Sequence, residues 1–454
     1  MTPLHVVILA AGQGQRMRSS LPKVLHLLAG RPLLSYVVAA ANALGAERVH
    51  VVHGHGGGIV REAMAAADVD WVEQREQLGT GHAVALAMAG IPDDATVLVL
   101  YGDVPLVNRT TLHDTATLAS DSGIALVTAV VADPSGYGRI VRGLNGQVRG
   151  IVEEGDADDE QRAIAEINTG ILAAHAGRLR GWLRGLSRDN AQGEHYLTDV
   201  IALAVEDGLS VRTVPPEAVE EVLGVNDRAE LAALERFQQR RLAEELMRDG
   251  ASLADPARVD IRGRVRTGSD VFVDVNVVFE GEVVLGDRVS IGPGCVIRDT
   301  VIERDTEVRP QCVIEGAHIG VACRIGPFAR LRPDARLSRD ARIGNFVEVK
   351  NATIGEGSKA NHLTYIGDSR IGRDVNVGAG VVTCNYDGAR KHETVIGDNA
   401  FIGSGVMLVA PVTVHPGATI GAGSTIAKDA PADTLTVTRV PQRTIEGWRR
   451  PRKE

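Results

Sequence analysis

Residues 396–426, IGDNAFIGSGVMLVAPVTVHPGATIGAGSTI, place an apolar side chain at almost every sixth position. This six-residue period extends back to Ile261 with occasional slips, and 26 of its 28 positions are apolar. Neither the 3.6-residue period of a helix nor the alternation of a strand fits it. It predicts a hexapeptide-repeat parallel β-helix, a solenoid with three short strands in each triangular coil and about nine coils. The 28 positions are Ile261, Thr267, Val273, Phe279, Leu285, Ile291, Ile297, Ile302, Val308, Ile314, Ile319, Ile325, Leu331, Leu337, Ile343, Val349, Ile354, Ala360, Ile366, Ile371, Val377, Thr383, Ile396, Ile402, Leu408, Val414, Ile420 and Ile426.

Length and composition limit the classes of protein to consider. A chain of 454 residues exceeds one ordinary hydrophobic core, so two or three domains are expected. A net charge of -9 argues against nucleic acid as the main partner. Four cysteines without a C-x-x-C spacing suit a reducing compartment and give no zinc site. The apolar run from Val6 to Ala11 is too short for a signal peptide or membrane span, so we expect a cytoplasmic protein acting on small molecules.

The N-terminal half has a different pattern, in which apolar runs of strand length alternate with helical segments. The clearest strands are expected over 5–10, 48–53 and 96–101, and the clearest helices over 33–44 and 81–89. This alternation predicts a doubly wound, Rossmann-like α/β domain.

A third pattern separates the two halves. Residues 227–248 are rich in Leu, Ala, Glu and Arg, and Leu231, Leu234, Gln238 and Leu242 share one helical face. This segment is interpreted as a connecting helix, with closure of the first domain as the alternative. Beyond Arg439 the period stops and the chain becomes basic. The predicted organisation is an α/β domain over 1–226, a linker helix over 227–250, a β-helix over 251–438 and a basic arm over 439–454.

A first candidate site follows the strand expected over 5–10. Residues 11–17, AGQGQRM, can bring backbone amides close to a phosphate, and Arg16 and Lys23 add positive charge. The third glycine of the dinucleotide fingerprint is missing, which disfavours a Rossmann dehydrogenase. Asp103 follows the strand over 96–101, at the sheet edge where such folds bind ligands.

A second candidate site lies where the six-residue period fails. Thr383 and Ile396 are 13 residues apart, which we interpret as two hexads and one extra residue that forces a loop out of the coil wall. One coil earlier, His362 is expected near a corner and facing outwards. Histidine can accept a proton near neutral pH, so His362 is a candidate general base. Arg332, Lys350, Tyr365 and Asn376 are expected in nearby coils, where the two cations could hold a sugar phosphate.

The motifs of the first site resemble those of the sugar-nucleotide pyrophosphorylases. The segments concerned are 9–17, LAAGQGQRM; Pro22-Lys23; Gln74; 79–81, GTG; and 101–103, YGD. With the hexapeptide solenoid attached, the whole chain from about Val6 to Trp448 resembles the bacterial bifunctional N-acetylglucosamine-1-phosphate uridyltransferases and glucosamine-1-phosphate acetyltransferases.

For the N-terminal half, this resemblance implies attack by N-acetylglucosamine 1-phosphate on the α-phosphorus of UTP, with release of pyrophosphate. It implies that Asp103 and Asn226 hold Mg²⁺, and that Arg16 and Lys23 stabilise the triphosphate and the leaving group. Uracil is expected near Gln74, Gly79 and Thr80. The nucleotide and sugar-nucleotide site implied as a whole comprises Leu9, Ala10, Ala11, Gly12, Lys23, Gln74, Gly79, Thr80, Tyr101, Gly102, Asp103, Gly138, Glu153, Asn168, Tyr196 and Asn226.

For the C-terminal half, the resemblance implies that His362 takes a proton as the amine of glucosamine 1-phosphate attacks the thioester of acetyl-CoA. The implied glucosamine 1-phosphate ligands are Arg332, Lys350, Tyr365 and Asn376. The implied acetyl-CoA contacts are Ala379, Asn385, Tyr386, Ser404, Ala422 and Arg439. The resemblance also implies a left-handed coil and a homotrimer whose acetyltransferase sites are shared between subunits.

Three alternatives stay open from the sequence. The solenoid could only oligomerise a pyrophosphorylase, although a spacer would not need His362 or the Asn385-Tyr386 loop. The chain could be a nucleotide-sugar sensor, although simple binding would not need Lys23, Asp103 and Asn226 together. Cys384 could be a nucleophile, but a general base and a thioester permit direct attack, which favours a packed or merely reactive thiol.

Overall fold

The computed structural model describes residues 2–12, 14–54 and 56–451. The chain forms two compact units, Met1–Gln238 and Gln239–Glu454. Three predicted positions, Gln13 in the glycine-containing loop and Arg452 and Lys453 in the basic arm, lie outside the described residues.

The first unit is an α/β domain. Its strands are β1 (Leu4–Ala10), β2 (Leu27–Leu28), β3 (Arg31–Pro32), β4 (Arg48–His53), β5 (Asp70–Glu73), β6 (Thr96–Tyr101), β7 (Ile124–Val130), β8 (Arg139–Arg142), β9 (Val148–Val152), β10 (Glu166–His175) and β11 (Arg212–Val214). Its helices are α1 (Leu33–Ala43), α2 (Gly57–Ala63), α3 (Thr80–Ala87), α4 (Arg109–Ser122), α5 (Asp159–Arg162), α6 (Ala176–Arg184), α7 (Val200–Glu206) and α8 (Arg228–Arg248), the last of which ends in the second unit. Short 3-10 helices cover Gln15–Met17, Lys23–Leu25, Met88–Gly90, Leu197–Asp199, Val219–Val222 and, in the second unit, Pro256–Arg258.

The main sheet of this unit has the strand order β11-β7-β10-β6-β1-β4-β5. All neighbours along this path are parallel except β10, which runs antiparallel to both β6 and β7. Val6, Val7 and Ile8 on β1 are fully buried, because apolar clusters cover both faces of the sheet. The predicted strands and helices are confirmed, with shifts of one or two residues at some ends. The carboxyl ends of β1 and β6 lie side by side, which brings the loops after them together.

The second unit is a stack of short parallel strands. The first twelve are β12 (Ala251–Leu253), β13 (Val259–Thr267), β14 (Val271–Val273), β15 (Val277–Leu285), β16 (Ser290–Ile291), β17 (Val296–Ile302), β18 (Glu307–Val308), β19 (Val313–Glu315), β20 (His318–Ile319), β21 (Arg324–Ile325), β22 (Arg330–Leu331) and β23 (Arg336–Leu337). The remainder are β24 (Arg342–Asn345), β25 (Glu348–Ile354), β26 (Lys359–His362), β27 (Tyr365–Ile371), β28 (Asn376–Val377), β29 (Val382–Cys384), β30 (Thr394–Ile396), β31 (Phe401–Ile402), β32 (Met407–Val409), β33 (Val412–Val414), β34 (Thr419–Ile420), β35 (Thr425–Ile426) and β36 (Leu435–Thr436).

The strand pairing describes a coil with three faces. One sheet runs through β12, β14 and every later strand at the same position of the coil, up to β36. The other two faces are joined, because long strands such as β17 bend at a corner and pair with β19 on one side and β20 on the other. The predicted hexapeptide-repeat parallel β-helix is confirmed. Of the 28 positions in the six-residue period, all are buried except Thr267, which is half-buried.

The one-residue slips of the period have a structural cause at the corner between the second and third faces. Ile297 to Ile302 and Ile366 to Ile371 span five residues rather than six. The shortened corners turn through a residue with positive φ, such as Asp299 at 45° or Asp368 at 46°. Asp and Asn adopt this left-handed conformation more readily than most residues, so the slip and the residue type occur together.

The loop after Thr383 is longer than the sequence suggested. Ile396 pairs directly with Ile371, 25 residues earlier, whereas Ile371 pairs with Ile354 after 17 residues. The insertion is therefore eight residues, and the interpretation of two hexads and one extra residue was wrong. A multiple of six hid the insertion, because counting along the chain does not show which coil position resumes.

The segment expected to be a connecting helix is α8, and both interpretations of it hold in part. Leu234 packs in a cluster with Met17, Leu28 and Leu33 of the first unit. Further along, Leu246 belongs to the apolar core of the solenoid. The first half of the helix therefore closes the α/β unit, and its last turns cover the start of the β-helix.

The inward column of the solenoid predicts a sharp difference between neighbouring residues of one strand. Leu337→Ala should lower the free energy of unfolding of the solenoid by about 2–5 kcal/mol, because a cavity replaces a buried side chain. Arg336→Ala, at the exposed position beside it, should change it by less than about 0.5 kcal/mol. Urea unfolding of the full chain measures both, and equal effects of the two variants would contradict the assigned faces.

Candidate active sites

A cleft of about 720 Å³ lies at the carboxyl edge of the α/β sheet. Eleven residues predicted for the nucleotide site line it: Leu9, Ala10, Ala11, Gly12, Lys23, Gln74, Gly79, Thr80, Tyr101, Asp103 and Asn226. Its wall also contains Val24, Gln77, Ala83 and Glu194, which the sequence did not indicate. Gln77 could have been suspected from its position between Gln74 and Gly79, whereas Glu194 reaches the cleft only through the fold.

Two glycines shape this cleft by permitting close approach. The amide of Gly102 donates to the carbonyl of Leu9 at 2.9 Å, which ties the loop after β6 to the end of β1. Gly79 has a φ of 104°, and a Cβ on it would lie 2.5 Å from the carbonyl oxygen of His195. A side chain there would push apart the two segments that form this wall.

The Lys23 ammonium lies between the two predicted metal ligands. It forms an ion pair with Asp103 and is 3.5 Å from Oδ1 of Asn226. The side-chain oxygens of these residues therefore already converge on a cation. One carboxylate and one amide oxygen suit Mg²⁺, which takes few protein ligands and fills its shell with water and phosphate oxygens. Among the described residues, no group of three or more His, Cys, Asp or Glu side chains forms an alternative metal site.

Arg16 lies at the edge of the same region. It lines a smaller cleft of about 220 Å³ together with Gly14, Gln15, Lys23 and Asn226. Lys23 and Asn226 belong to both clefts, so positive charge is available on two sides of the Asp103–Asn226 pair.

Gly138, Glu153 and Asn168 form a second cluster behind the cleft. The carbonyl of Gly138 accepts from the amide of Asn168 at 2.8 Å, and a Cβ on Gly138 would lie 3.3 Å from the Glu153 carboxylate. The Thr198 hydroxyl donates to Glu153 at 2.9 Å. Burial raises the pKa of Glu153, and burial together with the charge of Glu153 raises the pKa of Tyr101. Tyr101 therefore connects this cluster to the main cleft.

Tyr196 is more deeply placed than a simple ligand contact requires. It is buried, and this burial raises its pKa to about 12. The next residue, Leu197, donates its amide to the Thr80 hydroxyl at 3.0 Å. Tyr196 thus lies in the segment that holds Thr80 on the wall of the cleft.

In the solenoid, five predicted residues follow one another up a single corner. Backbone hydrogen bonds join His362 to Gly380, Ala379 to Gly405 at 2.7 Å and Ser404 to Gly423 at 2.8 Å. The Arg439 side chain lies against the Gly421-Ala422-Gly423 turn, because a Cβ on Gly423 would be 3.8 Å from its Cδ. The structure thus brings together His362, Ala379, Ser404, Ala422 and Arg439, all at successive levels of one corner.

A neighbouring amide orients the exposed imidazole of His362. Nδ1 of His362 lies 2.7 Å from Oδ1 of Asn345, one coil below. Since an amide oxygen can only accept, Nδ1 carries the proton in the neutral ring and Nε2 is left with a lone pair. His362 therefore has the tautomer that a general base acting through Nε2 requires. Asn345 was not indicated by the sequence, because it lies 17 residues away along the chain.

The two predicted cations, Arg332 and Lys350, have a third cation beside them. Lys391 and Arg332 lower the pKa of Lys350 through their positive charge, with Lys391 the larger cause. Arg332 is balanced in part by Glu348, whose carboxylate is 2.9 Å from its guanidinium. Lys391 lies in the inserted loop and was missed, because its position depends on how that loop folds back.

The inserted loop carries Asn385 and Tyr386 from different environments. Asn385 is buried and donates its side-chain amide to Asp368, whereas Tyr386 is exposed and donates its hydroxyl to Gly388. A Cβ on Gly367 would lie 2.7 Å from the Asn385 amide nitrogen and would also meet the Tyr365 hydroxyl. Gly367 pairs with Lys350, so Lys350, Tyr365 and Asn385 surround one point of the coil wall.

Asn376 is not brought into this cluster within the chain. It pairs with Lys359 and Phe401 in the first face of the solenoid, whereas Lys350 and Tyr365 lie on the second face. Cys384 is half-buried and the other cysteines are buried, and all four are free thiols. No helix in the described part of the chain is long and apolar enough to cross a membrane.

Comparison with known proteins shows similarity along the entire chain. A family model of the MobA-like NTP transferase domain matches residues 6–198, and one of the bacterial transferase hexapeptide repeat matches residues 264–299 and 393–428. The chain is 57% identical over 453 residues to the bifunctional protein GlmU of Marinobacter nauticus, covering 100% of both chains. The GlmU of Azoarcus sp. is 56% identical over 99% of this chain and 100% of its own. The chain belongs to the bifunctional GlmU family.

Other relatives agree with this assignment. The GlmU of Acinetobacter baumannii is 54% identical over 99% of this chain and 98% of its own. A solved structure of UDP-glucose pyrophosphorylase with UDP-glucose covers 53% of this chain at 16% identity and a TM-score of 0.45, a likeness too slight to add to it. As a GlmU, the chain is a bifunctional transferase. It acetylates glucosamine 1-phosphate and then transfers a uridyl group to N-acetylglucosamine 1-phosphate, as the sequence predicted.

The geometry of Gly79 predicts a selective loss in this GlmU. Gly79→Ala should lower kcat/KM for UTP by on the order of a hundredfold, because the added Cβ displaces the cleft wall that carries Thr80. Gly90→Ala, where a Cβ meets nothing within 4 Å, is the matched control and should stay near wild type. Pyrophosphate release at varied UTP measures both, and unchanged UTP kinetics in Gly79→Ala would show that this wall does not contact the nucleotide.

Proposed function

We propose that the chain makes UDP-N-acetylglucosamine for cell-envelope polymers at two sites, one in each compact unit, and that it does so in the cytoplasm. Uridyl transfer is assigned to the cleft around Lys23, Asp103 and Asn226, and acetyl transfer to the solenoid corner around His362. The observation that carries the proposal is this corner, where a tautomer-fixed histidine stands directly below the turns of Ala379, Ser404 and Ala422.

In the uridyl transfer site, catalysis rests on charge neutralisation and positioning. An oxygen of the sugar phosphate forms a bond to the α-phosphorus of UTP, while the bond to the bridging oxygen breaks and pyrophosphate leaves. Mg²⁺ held by Asp103 and Asn226 would neutralise phosphate charge when bound. Lys23, released from its ion pair with Asp103, and Arg16 then contact the triphosphate and the leaving pyrophosphate. This release is chemically consistent, because the phosphate oxygens replace the carboxylate as partners of the ammonium.

The remaining residues of this site are assigned to recognition. Gln74, Gly79 and Thr80 are placed on the uracil, with Ala11 and Gly12 nearby and Leu9, Ala10, Tyr101 and Gly102 completing the cleft. Gly138, Glu153 and Asn168 are placed on the sugar, which the position of their cluster behind Tyr101 supports. For Tyr196, burial supports a role in holding the wall more than direct contact with the sugar.

In the acetyl transfer site, the cation cluster receives the phosphate of glucosamine 1-phosphate. Arg332, Lys350 and Lys391 repel one another, and a dianion among them would relieve this repulsion. The amine nitrogen forms a bond to the thioester carbon, the carbon–sulfur bond breaks, and Nε2 of His362 takes the amine proton and passes it to the departing thiolate. Tyr365, Asn385 and Tyr386 orient the amine and the acyl group, and Ala379, Ser404, Ala422 and Arg439 line the path of the cofactor.

A homotrimer belongs to the same proposal. Phe328 and Phe346 stack at 5.4 Å and are 50% and 57% exposed, and Leu363 continues this apolar ridge beside His362. Exposed ridges of this kind are usually covered by a partner. Asn376 would then complete the site from a second subunit, because its own chain holds it on a different face from Lys350 and Tyr365.

Two variants separate the two reactions. Asp103→Ala should abolish pyrophosphate release and leave acetyl transfer intact, since it removes a metal ligand of the first site only. His362→Ala should lower thiol release by about a hundredfold or more and leave uridyl transfer intact, since it removes the base. The assay supplies glucosamine 1-phosphate, acetyl-CoA, UTP and Mg²⁺ and follows free thiol and pyrophosphate separately.

Asp121→Ala on α4 and His415→Ala in the solenoid, both exposed, are the matched controls. Near-normal thiol release by His362→Ala would reject the acetyl transfer site. Retained pyrophosphate release by Asp103→Ala, with N-acetylglucosamine 1-phosphate supplied, would remove Asp103 from the metal site.

Shared sites predict recovery of activity on mixing two inactive variants. His362→Ala and Asn376→Ala proteins, unfolded together and refolded, should regain about a quarter of wild-type acetyl transfer, because random assembly of a closed ring makes that share of intact sites. Each protein refolded alone is the control. A mixture that shows only the mean of the two variants would place His362 and Asn376 in the site from the same subunit.

A further inference from the structure

Three residues at the shortened corner of the solenoid form a ladder of side chains. Asn351, Asp368 and Asn385 follow one another at intervals of 17 residues. Nδ2 of Asn351 donates to Oδ1 of Asp368 at 2.6 Å, and Nδ2 of Asn385 donates to Oδ2 of the same carboxylate. Asp368 thus accepts one amide from the coil below and one from the start of the inserted loop.

The charge of Asp368 decides which way the Asn385 amide faces. An ionised carboxylate can only accept hydrogen bonds, so Asn385 must turn its NH₂ group towards Asp368 and its Oδ1 away. The base of the inserted loop is also closed, because the amide of His392 donates to the carbonyl of Asn385 at 2.8 Å. Asn385 is buried, so both its backbone and its side chain are held in one arrangement.

This fixed amide lies among the residues assigned to glucosamine 1-phosphate. A Cβ on Gly367 would meet both the Asn385 amide and the Tyr365 hydroxyl, and Gly367 pairs with Lys350. Glycine at 367 therefore leaves room for Asn385 and Tyr365 to approach the same point. The group that Asn385 presents at this point is its carbonyl oxygen, which accepts but cannot donate.

We propose that Asp368 is a positioning residue for acetyl transfer, which acts by holding Oδ1 of Asn385 towards the substrate amine. An acceptor binds an N–H of the amine and leaves the nitrogen lone pair for the thioester carbon. The opposite face of the amide would donate to that lone pair and block attack. This inference rests on the proposed acetyl transfer site, and it adds to it the orientation of Asn385 and the residue that imposes it.

Exchange of the two side chains tests the proposal. Asp368→Asn should lower kcat for acetyl transfer by about ten- to a hundredfold, because the new amide lets Asn385 turn over. KM for acetyl-CoA and the rate of uridyl transfer should stay within about twofold of wild type. Asn385→Asp alone should lose at least as much, because two carboxylates then face each other. The double variant restores an amide donating to a carboxylate and an acceptor facing the amine, so it should recover at least tenfold over Asn385→Asp.

The matched control is Asp374→Asn, at an exposed corner residue with a φ of 54° and outside both sites. Wild-type kcat in Asp368→Asn would overturn the inference, as would a double variant no better than Asn385→Asp. Equal losses of thiol and pyrophosphate release with a lowered Tm would also overturn it, since they indicate a purely structural role. The proposed site itself fails in a different way, when wild type releases no thiol or His362→Ala releases it normally.

Discussion

The solenoid depends on one constraint, which is that each inward side chain must lie above its equivalent in the coil below. The column of Ile, Val and Leu at these positions removes apolar surface from water, and the backbone hydrogen bonds between coils fix the vertical register. Outward residues follow this register automatically. His362, Ala379, Ser404 and Ala422 are far apart in sequence, yet they occupy one corner because their coils stack without slipping. The chemistry is thus carried by residues that contribute little to the core.

The α/β unit solves the same positioning problem by other means. Strands β1 and β6 are neighbours in a parallel sheet, so the loops that follow them end at the same edge. Glycine at 102 and at 79 then allows backbone segments to approach more closely than any other residue would permit. The Lys23, Asp103 and Asn226 side chains meet at this edge although Asn226 comes from the segment just before α8. The first site is therefore assembled by sheet topology, and the second by repetition.

Most of the fold was accessible from the sequence, because period and alternation are local signals. The strands over 48–53 and 96–101 and 27 buried positions of the six-residue period were predicted correctly. The eight-residue insertion was not, because thirteen residues fit two hexads and one extra equally well, and only the pairing of Ile371 with Ile396 distinguishes them. Eleven residues of the first cleft came from motifs, whereas Glu194, Asn345, Lys391 and Asp368 did not. Their positions follow from contacts between coils or between a loop and the sheet, which no pattern along the chain records.

The return of the chain to Ile396 after the inserted loop has a consequence for variation among such proteins. The stack requires only that the chain leaves at one level and re-enters above Ile371, so the path between these points is free of the period. Loop length and composition can change there without disturbing any other coil. Substrate recognition and structural stability are consequently separable in this half of the molecule, and a solenoid of fixed register can accept new acyl acceptors through a single segment.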